Sequence, residues 1–173
     1  MPHAVFFDRD GIVNVRRVGD YVTTWEEFQF LPEVFSALPR VHALGYLAIV
    51  ATNQRGVSLG RMSLHDVEVV HSRMQEELRT RTGNTFDDIL VCPHDNDAGC
   101  DCRKPLPGLL LSAAAKWDID LAASWMIGDG ERDVVAGNRA GCRSILVGPE
   151  TTTAAGWRVD TLAAAVDIIA GAA

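Results

Sequence analysis

The segment AVFFDRDG, residues 4–11, decides the fold, because an apolar run of strand length passes directly into a charged turn. Ala4–Asp8 is typical of a short buried strand, and Gly11 allows the chain to turn sharply after it. The same pattern, an apolar run followed by polar residues, recurs along the chain. Between these runs lie segments in which the apolar residues have the spacing of a helix. Strands that alternate with helices predict a parallel sheet with right-handed crossovers.

The predicted elements alternate over the whole chain. Strands are expected at Ala4–Asp8, Tyr46–Ala51, Asp88–Val91, Ser124–Ile127 and Ser144–Val147. Helices are expected at Pro32–Leu44, Ser63 to about Thr82, Pro107–Trp117, Glu131–Ala140 and Val159–Ala170. Pro39 lies inside the first helix and predicts a kink or an irregular first half. The pattern indicates one α/β domain over residues 1–173, a Rossmann-like three-layer sandwich around a central parallel sheet.

The composition excludes several classes of protein. The apolar share of 47% and the charged share of 23% are those of a folded globular chain, not of a disordered one. Sixteen basic and 23 acidic residues give a net charge of −7, which argues against nucleic acid as a partner. No apolar run approaches the about 20 residues of a membrane span. Because the N-terminus lacks a signal-peptide pattern, we expect a cytoplasmic protein that does not bind membranes.

Two carboxylates, Asp8 and Asp10, follow the first predicted strand. They point the same way if the extended conformation continues, and like charges this close repel unless they share a cation or a proton. One interpretation is a magnesium site in which one carboxylate is a nucleophile and the other an acid and base. The alternative is a solvated turn, and the motif alone does not decide between them.

Polar residues also follow the second and fourth predicted strands. Thr52–Gly56 offers small polar side chains and backbone N–H groups that suit an anion, although a plain polar loop has the same composition. Asp129 follows the fourth strand and is expected to join Asp8 in an oxygen-ligand site. Asp133 either caps the next helix or orients a neighbouring side chain. Ligands of parallel sheets bind beyond the carboxyl ends of the strands, so these residues are expected to converge.

A cluster of metal-ligand residues follows the third predicted strand. Cys92, His94, Cys100 and Cys102 have the spacing C-x-H-x5-C-x-C. Three thiolates and one imidazole match a closed structural zinc site, which leaves no coordination position for catalysis. Cys142 lies outside the cluster and is expected to be a small buried apolar residue.

Arg103 and Lys104 follow the last cysteine of this cluster directly. Arginine grips a phosphate with two parallel hydrogen bonds, and lysine presents a point charge. A loop fixed by zinc would hold both cations at the carboxyl edge of the sheet. The other histidines, His3, His42, His65 and His71, show no ligand spacing and are expected to be structural or exposed.

Four motifs together resemble the haloacid-dehalogenase superfamily of phosphatases with an aspartate nucleophile. The motifs FFDRDG, ATNQ, CRKP and MIGDGERD stand in the order of that family and span nearly the whole chain. The insert CPHDNDAGCDCRKP is similar to the zinc-bearing branch that contains the D,D-heptose 1,7-bisphosphate 7-phosphatases and the histidinol phosphatases. The segments after the first and second strands are too short for the cap domain of larger members, so we expect a capless enzyme.

The resemblance implies a role for each catalytic residue. Asp8 is the expected nucleophile, and Asp10 is the expected acid and base. Thr52 and Lys104 are expected to bind the transferring phosphoryl group. Magnesium is expected to bind to Asp8, to the backbone carbonyl of Asp10 and to Asp129. The resemblance thus agrees with the metal sites proposed from the residues, with magnesium for catalysis and zinc for structure.

The resemblance implies that Arg103 helps to recognise the substrate. Asn53, Gln54, Arg16 and Arg17 are further expected substrate-binding residues, and Arg16, Arg17 or Arg132 is expected to supply a cation of the substrate site. The flap at Arg16–Phe30 and the loop at Asp95–Gly99 are expected to set specificity in a capless enzyme. Where the heptose enzymes usually carry a lysine after the fourth-motif aspartate, this chain has Gly130.

Three functions remain open from the sequence. The first is removal of the 7-phosphate of D-glycero-D-manno-heptose 1,7-bisphosphate, a reaction of carbohydrate metabolism, by a monomeric enzyme. The second is hydrolysis of histidinol phosphate or of another small sugar phosphate. The third is a non-catalytic phosphate-binding module, against which the complete set of catalytic residues argues. In each case the expected partner is a small phosphorylated metabolite.

Overall fold

Six strands form one parallel sheet in the computed structural model, which describes residues 1–152 and 154–172. The strands are β1 (Ala4–Phe7), β2 (Leu47–Asn53), β3 (Asp88–Cys92), β4 (Trp125–Gly128), β5 (Arg143–Val147) and β6 (Trp157–Val159). Their order in the sheet is β3-β2-β1-β4-β5-β6. The order changes direction between β1 and β4, and ligands of such sheets bind beyond the strand ends at this switch point.

Five helices cover the two faces of the sheet. They are α1 (Val34–Ala43), α2 (Leu64–Thr82), α3 (Gly108–Trp117), α4 (Glu131–Ala140) and α5 (Leu162–Gly171). Val5 and Phe7 of β1 pack with α1, α2 and α5, whereas Ala4 and Phe6 pack in the opposite core, which includes α3. Successive side chains of a strand point to opposite faces, so β1 contributes to both cores. The predicted three-layer sandwich is confirmed.

The last predicted helix was wrong at its start. Val159 ends β6, and α5 begins only at Leu162, where the Thr161 side chain accepts a hydrogen bond from the Ala164 amide. An edge strand of three residues is too short to show an alternating pattern, so its last residue was assigned to the helix. The structure also extends β2 to Asn53, which places Thr52 inside the strand.

Residues 8–33 connect β1 to α1, and residues 54–63 connect β2 to α2. The first connection contains a 3-10 turn, Trp25–Glu27, and the Trp25 and Phe28 rings stack at 5.2 Å. The second connection is a short loop. Within the described residues neither connection forms a separate cap, so the site at the sheet edge is covered by loops alone.

The packing of α4 against β4 sets the distance between two acidic side chains of the site. Gly137 of α4 lies against the strands, where an added Cβ would be 2.6 Å from the Met126 Cβ and 2.5 Å from the Ser144 Oγ. Asp133 lies on the first turn of α4, and Asp129 follows β4 directly. Any change that pushes this helix outward therefore moves these two carboxylates apart.

Replacement of Gly137 by alanine tests this packing. Alanine normally stabilises a helix by about 1 kcal/mol over glycine. Because its Cβ would collide with Met126, we expect Gly137→Ala to lower the free energy of unfolding by about 1–3 kcal/mol. The matched control is Gly171→Ala in α5, where the added Cβ meets nothing within 4 Å. Urea denaturation measures both variants, and a Gly137→Ala protein as stable as the unsubstituted one would contradict the packing.

Candidate active site

The predicted catalytic residues converge at the carboxyl edge of the sheet. Asp8 follows β1, Thr52 lies near the end of β2, and Asp129 follows β4. The Asp8 amide donates a hydrogen bond of 2.9 Å to the Ile127 carbonyl, which ties the end of β1 to β4. Lys104 lies in the loop after Cys102, and its side chain extends to Asp8 at this edge. Residues far apart in sequence therefore form one site because parallel strands end at one edge.

Lys104 lies between two buried carboxylates. Its Nζ is 2.8 Å from Asp8 Oδ1 and 2.6 Å from Asp133 Oδ1, and all three side chains are almost inaccessible to water. Burial lowers the pKa of Lys104, but the charges of Asp133 and Asp8 outweigh it and hold this pKa above its ordinary value. The lysine therefore remains an ammonium. Asp133 also accepts a hydrogen bond from the Gly130 amide at 3.2 Å, so it both caps α4 and orients Lys104.

Asp8 and Asp129 form an acidic pocket beside this lysine. Ligand atoms of Asp8, Asp129 and Asp133 all lie within 4.8 Å of one another. Burial, followed by the charge of Asp8, raises the pKa of Asp129 to about 7. Asp8 Oδ2 is buried and accepts no hydrogen bond from the described residues. Crowded carboxylates with a free buried oxygen fit a divalent cation such as magnesium.

Gly11 allows the turn after β1 to approach the Asp129 side chain closely. Its φ is +98°, and an added Cβ would lie 1.9 Å from Asp129 Oδ2. A side chain at residue 11 would therefore displace Asp129 and strain the backbone, which explains the glycine of the D-x-D-G motif.

Three side chains hold the carboxylate of Asp10. Arg9 Nη2 lies 3.0 Å from Oδ1, Asn14 Nδ2 donates to Oδ1 at 2.9 Å, and Gln54 Nε2 donates to Oδ2 at 2.9 Å. Burial raises the pKa of Asp10, but the charge of Arg9 and these hydrogen bonds outweigh it and lower this pKa below its ordinary value. Asp10 is therefore ionised and fixed in position.

His71, which was expected to be structural or exposed, is a buried structural residue that supports Arg9 from α2. Its Nε2 lies 3.1 Å from Arg9 Nη1, and both side chains are buried. Burial, followed by the charge of Arg9, lowers the pKa of His71 to about 3. A neutral imidazole can accept a hydrogen bond from the guanidinium. This contact joins residues 62 positions apart, so no local spacing could reveal it.

The polar residues of β2 serve the site in different ways. Thr52 Oγ1 accepts a hydrogen bond of 2.8 Å from Gln54 Nε2, which leaves the threonine hydroxyl hydrogen free to donate elsewhere. The Asn53 side chain pairs with the backbone of Lys104 in both directions, at 3.0 and 3.1 Å. Asn53 and Gln54, both predicted to bind substrate, thus fix catalytic groups as well as lining the cleft in front of them.

A cleft of 510 Å³ opens in front of the carboxylates and is rich in arginine. Its lining includes Arg16, Arg17, Arg55, Arg103 and Arg132. Arg17 pairs with Glu27 and Asp20, and Arg55 pairs with Asp95. Arg103 donates to Asn96 Oδ1 and to the His94 carbonyl, so the cysteine loop sets its direction. The cleft can therefore receive a ligand with more than one anionic group.

The predicted zinc ligands lie together after β3. Ligand atoms of Cys92, His94, Cys100 and Cys102 are all within 4.8 Å of one another. His94 Nδ1 lies 3.6 Å from the Cys92 sulfur, and the Cys92 and Cys100 sulfurs are 3.8 Å apart. Tetrahedral ligands at the usual Zn–S distance of about 2.3 Å stand at such separations. Cys142 is buried in the core, and burial raises its pKa to about 12, as expected of an apolar role.

Removal of one zinc ligand tests the metal assignment. We expect Cys100→Ser to lose bound zinc, measured by mass spectrometry of the metal. We also expect its Tm to fall by at least about 4 °C, which corresponds to 1–2 kcal/mol at this chain length. The matched control is Cys142→Ser, which should retain one zinc ion per chain. A Cys100→Ser protein with unchanged zinc content would contradict the assignment.

The buried imidazole predicts a pH dependence of stability. His71 takes up a proton below about pH 6.5 when unfolded but resists it down to about pH 3 when folded. The unfolded state therefore binds more protons in this window, and stability falls as the pH is lowered, by up to about 1.4 kcal/mol per pH unit. We measure the free energy of unfolding by urea denaturation between pH 6 and pH 4. We expect it to fall less steeply with decreasing pH in His71→Gln than in the unsubstituted protein. The control is the exposed His65→Gln. Equal slopes in His71→Gln and the unsubstituted protein would contradict a buried neutral His71.

Comparisons with known proteins agree with this geometry. A family model described as HAD-hydrolase-like matches residues 101–169. The D-glycero-beta-D-manno-heptose-1,7-bisphosphate 7-phosphatase of Helicobacter pylori is 40% identical over 144 residues, which cover 83% of this chain and 82% of that protein. The D-glycero-alpha-D-manno-heptose-1,7-bisphosphate 7-phosphatase of Mycobacterium tuberculosis is 39% identical over 150 residues, which cover 83% of this chain and 78% of that protein.

A solved structure is similar over nearly the whole chain. It is the D,D-heptose 1,7-bisphosphate phosphatase of B. bronchiseptica complexed with magnesium and phosphate, with a TM-score of 0.88, 32% identity and coverage of 99% of both chains. Among the described residues, no helix is long and apolar enough to cross a bilayer. By its sequence similarity, its sheet order and its acidic strand ends, this chain belongs to the HAD-like phosphatases, in the branch of the heptose-1,7-bisphosphate 7-phosphatases.

Proposed function

We propose that this protein is a magnesium-dependent phosphoric monoester hydrolase that works through an aspartyl phosphate on Asp8. One observation carries the proposal: Lys104 holds Asp8 Oδ1, while Asp8 Oδ2 is buried with no hydrogen bond from the described residues. The lysine thus fixes the orientation of the Asp8 carboxylate, and Oδ2 is the ligand for magnesium, which leaves Oδ1, beside the Lys104 ammonium, to attack phosphorus. Magnesium, when bound to Asp8, Asp129 and the Asp10 carbonyl, would neutralise these oxygens and those of the phosphoryl group.

In the first step Asp8 attacks phosphorus and the bond to the leaving alcohol oxygen breaks. An ionised carboxylate needs no partner base for this attack. Asp10 gives its proton to the leaving oxygen, which leaves as a neutral alcohol. A bound phosphate dianion raises the pKa of the neighbouring Asp10 by like-charge repulsion, and this favours the protonated form that the step requires.

In the second step a water oxygen attacks the phosphorus of the aspartyl phosphate. Asp10, now ionised, takes the water proton, the bond between Asp8 and phosphorus breaks, and inorganic phosphate leaves. The low pKa that Arg9 and its neighbours impose keeps Asp10 ionised for this role. Lys104 and the free hydroxyl hydrogen of Thr52 face the charge that spreads over the phosphoryl oxygens.

The proposed substrate is D-glycero-D-manno-heptose 1,7-bisphosphate, which loses its 7-phosphate. Relatives with this activity support the assignment, and the arginine-lined cleft supplies cations for the phosphate that is not transferred. Gly130 replaces the lysine usual in such enzymes, and Arg132 of the same segment lines the cleft instead. Histidinol phosphate carries one phosphate and an ammonium group, which this cluster of arginines disfavours.

A panel of phosphate esters tests the substrate. It contains both anomers of the heptose bisphosphate, heptose 7-phosphate, histidinol phosphate and common sugar monophosphates, assayed for phosphate release with magnesium. We expect kcat/KM for a bisphosphate anomer to exceed that for the monophosphates by about 10- to 100-fold, the value of one or two charged hydrogen bonds. Equal kcat/KM values for monophosphates and bisphosphates would contradict the proposal that the cleft binds a second phosphate.

Replacement of the nucleophile tests the chemistry. We expect Asp8→Asn to lower kcat by about a thousandfold or more, because an amide cannot form the covalent intermediate. We also expect a lower Tm, because Lys104 loses one of its two buried partners, so circular dichroism at the assay temperature checks that the variant is folded. The control is Asp167→Asn on α5, an exposed side chain that pairs with Arg40. Turnover by Asp8→Asn at the rate of the control would contradict the mechanism.

One chain supplies every side chain of the proposed site. We therefore propose that residues 1–173 act as one catalytic unit and that the enzyme works as a monomer, which size-exclusion chromatography with light scattering measures directly.

A further inference from the structure

Arg16 lies at the oxygens assigned to magnesium. Its Nη2 is 2.5 Å from Asp129 Oδ1, 3.4 Å from the Asp10 backbone oxygen and 3.9 Å from Asp8 Oδ2. These are two carboxylates and one carbonyl, from segments that follow β1 and β4. A guanidinium and a divalent cation are drawn to such a set for the same electrostatic reason.

The charges around the pocket explain why a cation lies there. Ligand atoms of Asp8, Asp129 and Asp133 lie within 4.8 Å of one another, and within the described part of the chain Lys104 pairs only with Asp8 and Asp133. Arg16 is the basic side chain in ion-pair contact with Asp129 among the described residues. Its guanidinium therefore neutralises the carboxylate that Lys104 does not reach.

We propose that Arg16 is a built-in counter-ion of the acidic pocket, which magnesium must displace in order to bind. One set of oxygens cannot hold the guanidinium and the metal ion at once. Binding therefore requires the population in which Arg16 has moved away, and the apparent affinity for magnesium falls by that fraction. The Arg16 side chain is 35% exposed and belongs to the connection between β1 and α1, so it can rotate without disturbing a core.

The arginine-lined cleft receives the displaced side chain. Arg16 already lines it, together with Arg17, Arg55, Arg103 and Arg132. On the proposed function, this is where the phosphate that is not transferred binds. Magnesium binding would thus deliver one more guanidinium to the substrate, so that a single residue links the metal pocket to recognition of the second phosphate.

Titration with magnesium alone tests the displacement. Protein that retains its zinc and is freed of magnesium by dialysis against metal-free buffer is titrated with MgCl2 in a calorimeter, with no phosphorylated compound present. We expect Arg16→Gln to lower the Kd for magnesium by about five- to tenfold, because the competing cation is gone. The matched control is Arg17→Gln, which removes the same charge at the next position from a guanidinium paired with Glu27 and Asp20. We expect less than a twofold change for that control.

Two results would overturn the displacement. One is a Kd for Arg16→Gln equal to that of the unsubstituted protein. The other is an equal decrease of the Kd for magnesium in Arg16→Gln and Arg17→Gln. That result would reflect the net charge of the flap rather than competition between Arg16 and magnesium for the acidic pocket. Neither depends on turnover, so the proposed function can fail in the substrate panel while this inference stands, and the reverse also holds.

The link to substrate has its own readout. At saturating magnesium we expect Arg16→Gln to raise KM for the bisphosphate by about fivefold or more, with kcat changed less than twofold. KM for a sugar monophosphate should not change, because the second phosphate is missing. An unchanged KM for the bisphosphate would overturn the part of the inference that places Arg16 on the substrate.

Discussion

The ion pairs of Lys104 with Asp8 and Asp133 are the constraint on which the site depends. Three charged groups are buried together, and each would be strongly unfavourable without the others. The ammonium can stay only if the end of β1, the start of α4 and the cysteine loop keep their positions. Lys104 therefore both balances the buried carboxylates and aligns the nucleophile Asp8. Pairing offsets the free-energy cost of burying these charges, and it leaves Asp8 with one oxygen bound to Lys104 and the other free.

The predicted zinc site positions this lysine. Cys102 precedes Arg103 and Lys104 directly, and the Asn53 side chain clamps the Lys104 backbone to the end of β2. A metal that closes the loop would therefore orient two cations that come from a long connection without regular structure. Zinc would thus affect catalysis only by positioning Arg103 and Lys104, which follow Cys102 in sequence.

The sequence predicted those parts of the protein that local pattern controls. The alternation of strands and helices, the acidic strand ends and the four zinc ligands all depend on short-range spacing. The edge strand β6, Trp157–Val159, was missed because three residues carry no period. The support of Asp10 by Arg9 and His71 was also missed, since it arises where α2 packs on the loop after β1. Asp133 had two candidate roles, and the packing of α4 gives it both.

Trapping the intermediate on Asp8 tests the covalent mechanism most directly. Asp10→Asn removes the acid of the first step and the base of the second while leaving the nucleophile intact, so the substrate is p-nitrophenyl phosphate, whose phenolate leaves without a proton. The variant is mixed with magnesium and phosphorylated substrate, quenched in acid and digested for peptide mass spectrometry. We expect one phosphoryl group on the peptide that contains Asp8, and none on the same peptide of Asp8→Asn. Release of phosphate without such an adduct, or an adduct on another residue, would contradict this mechanism.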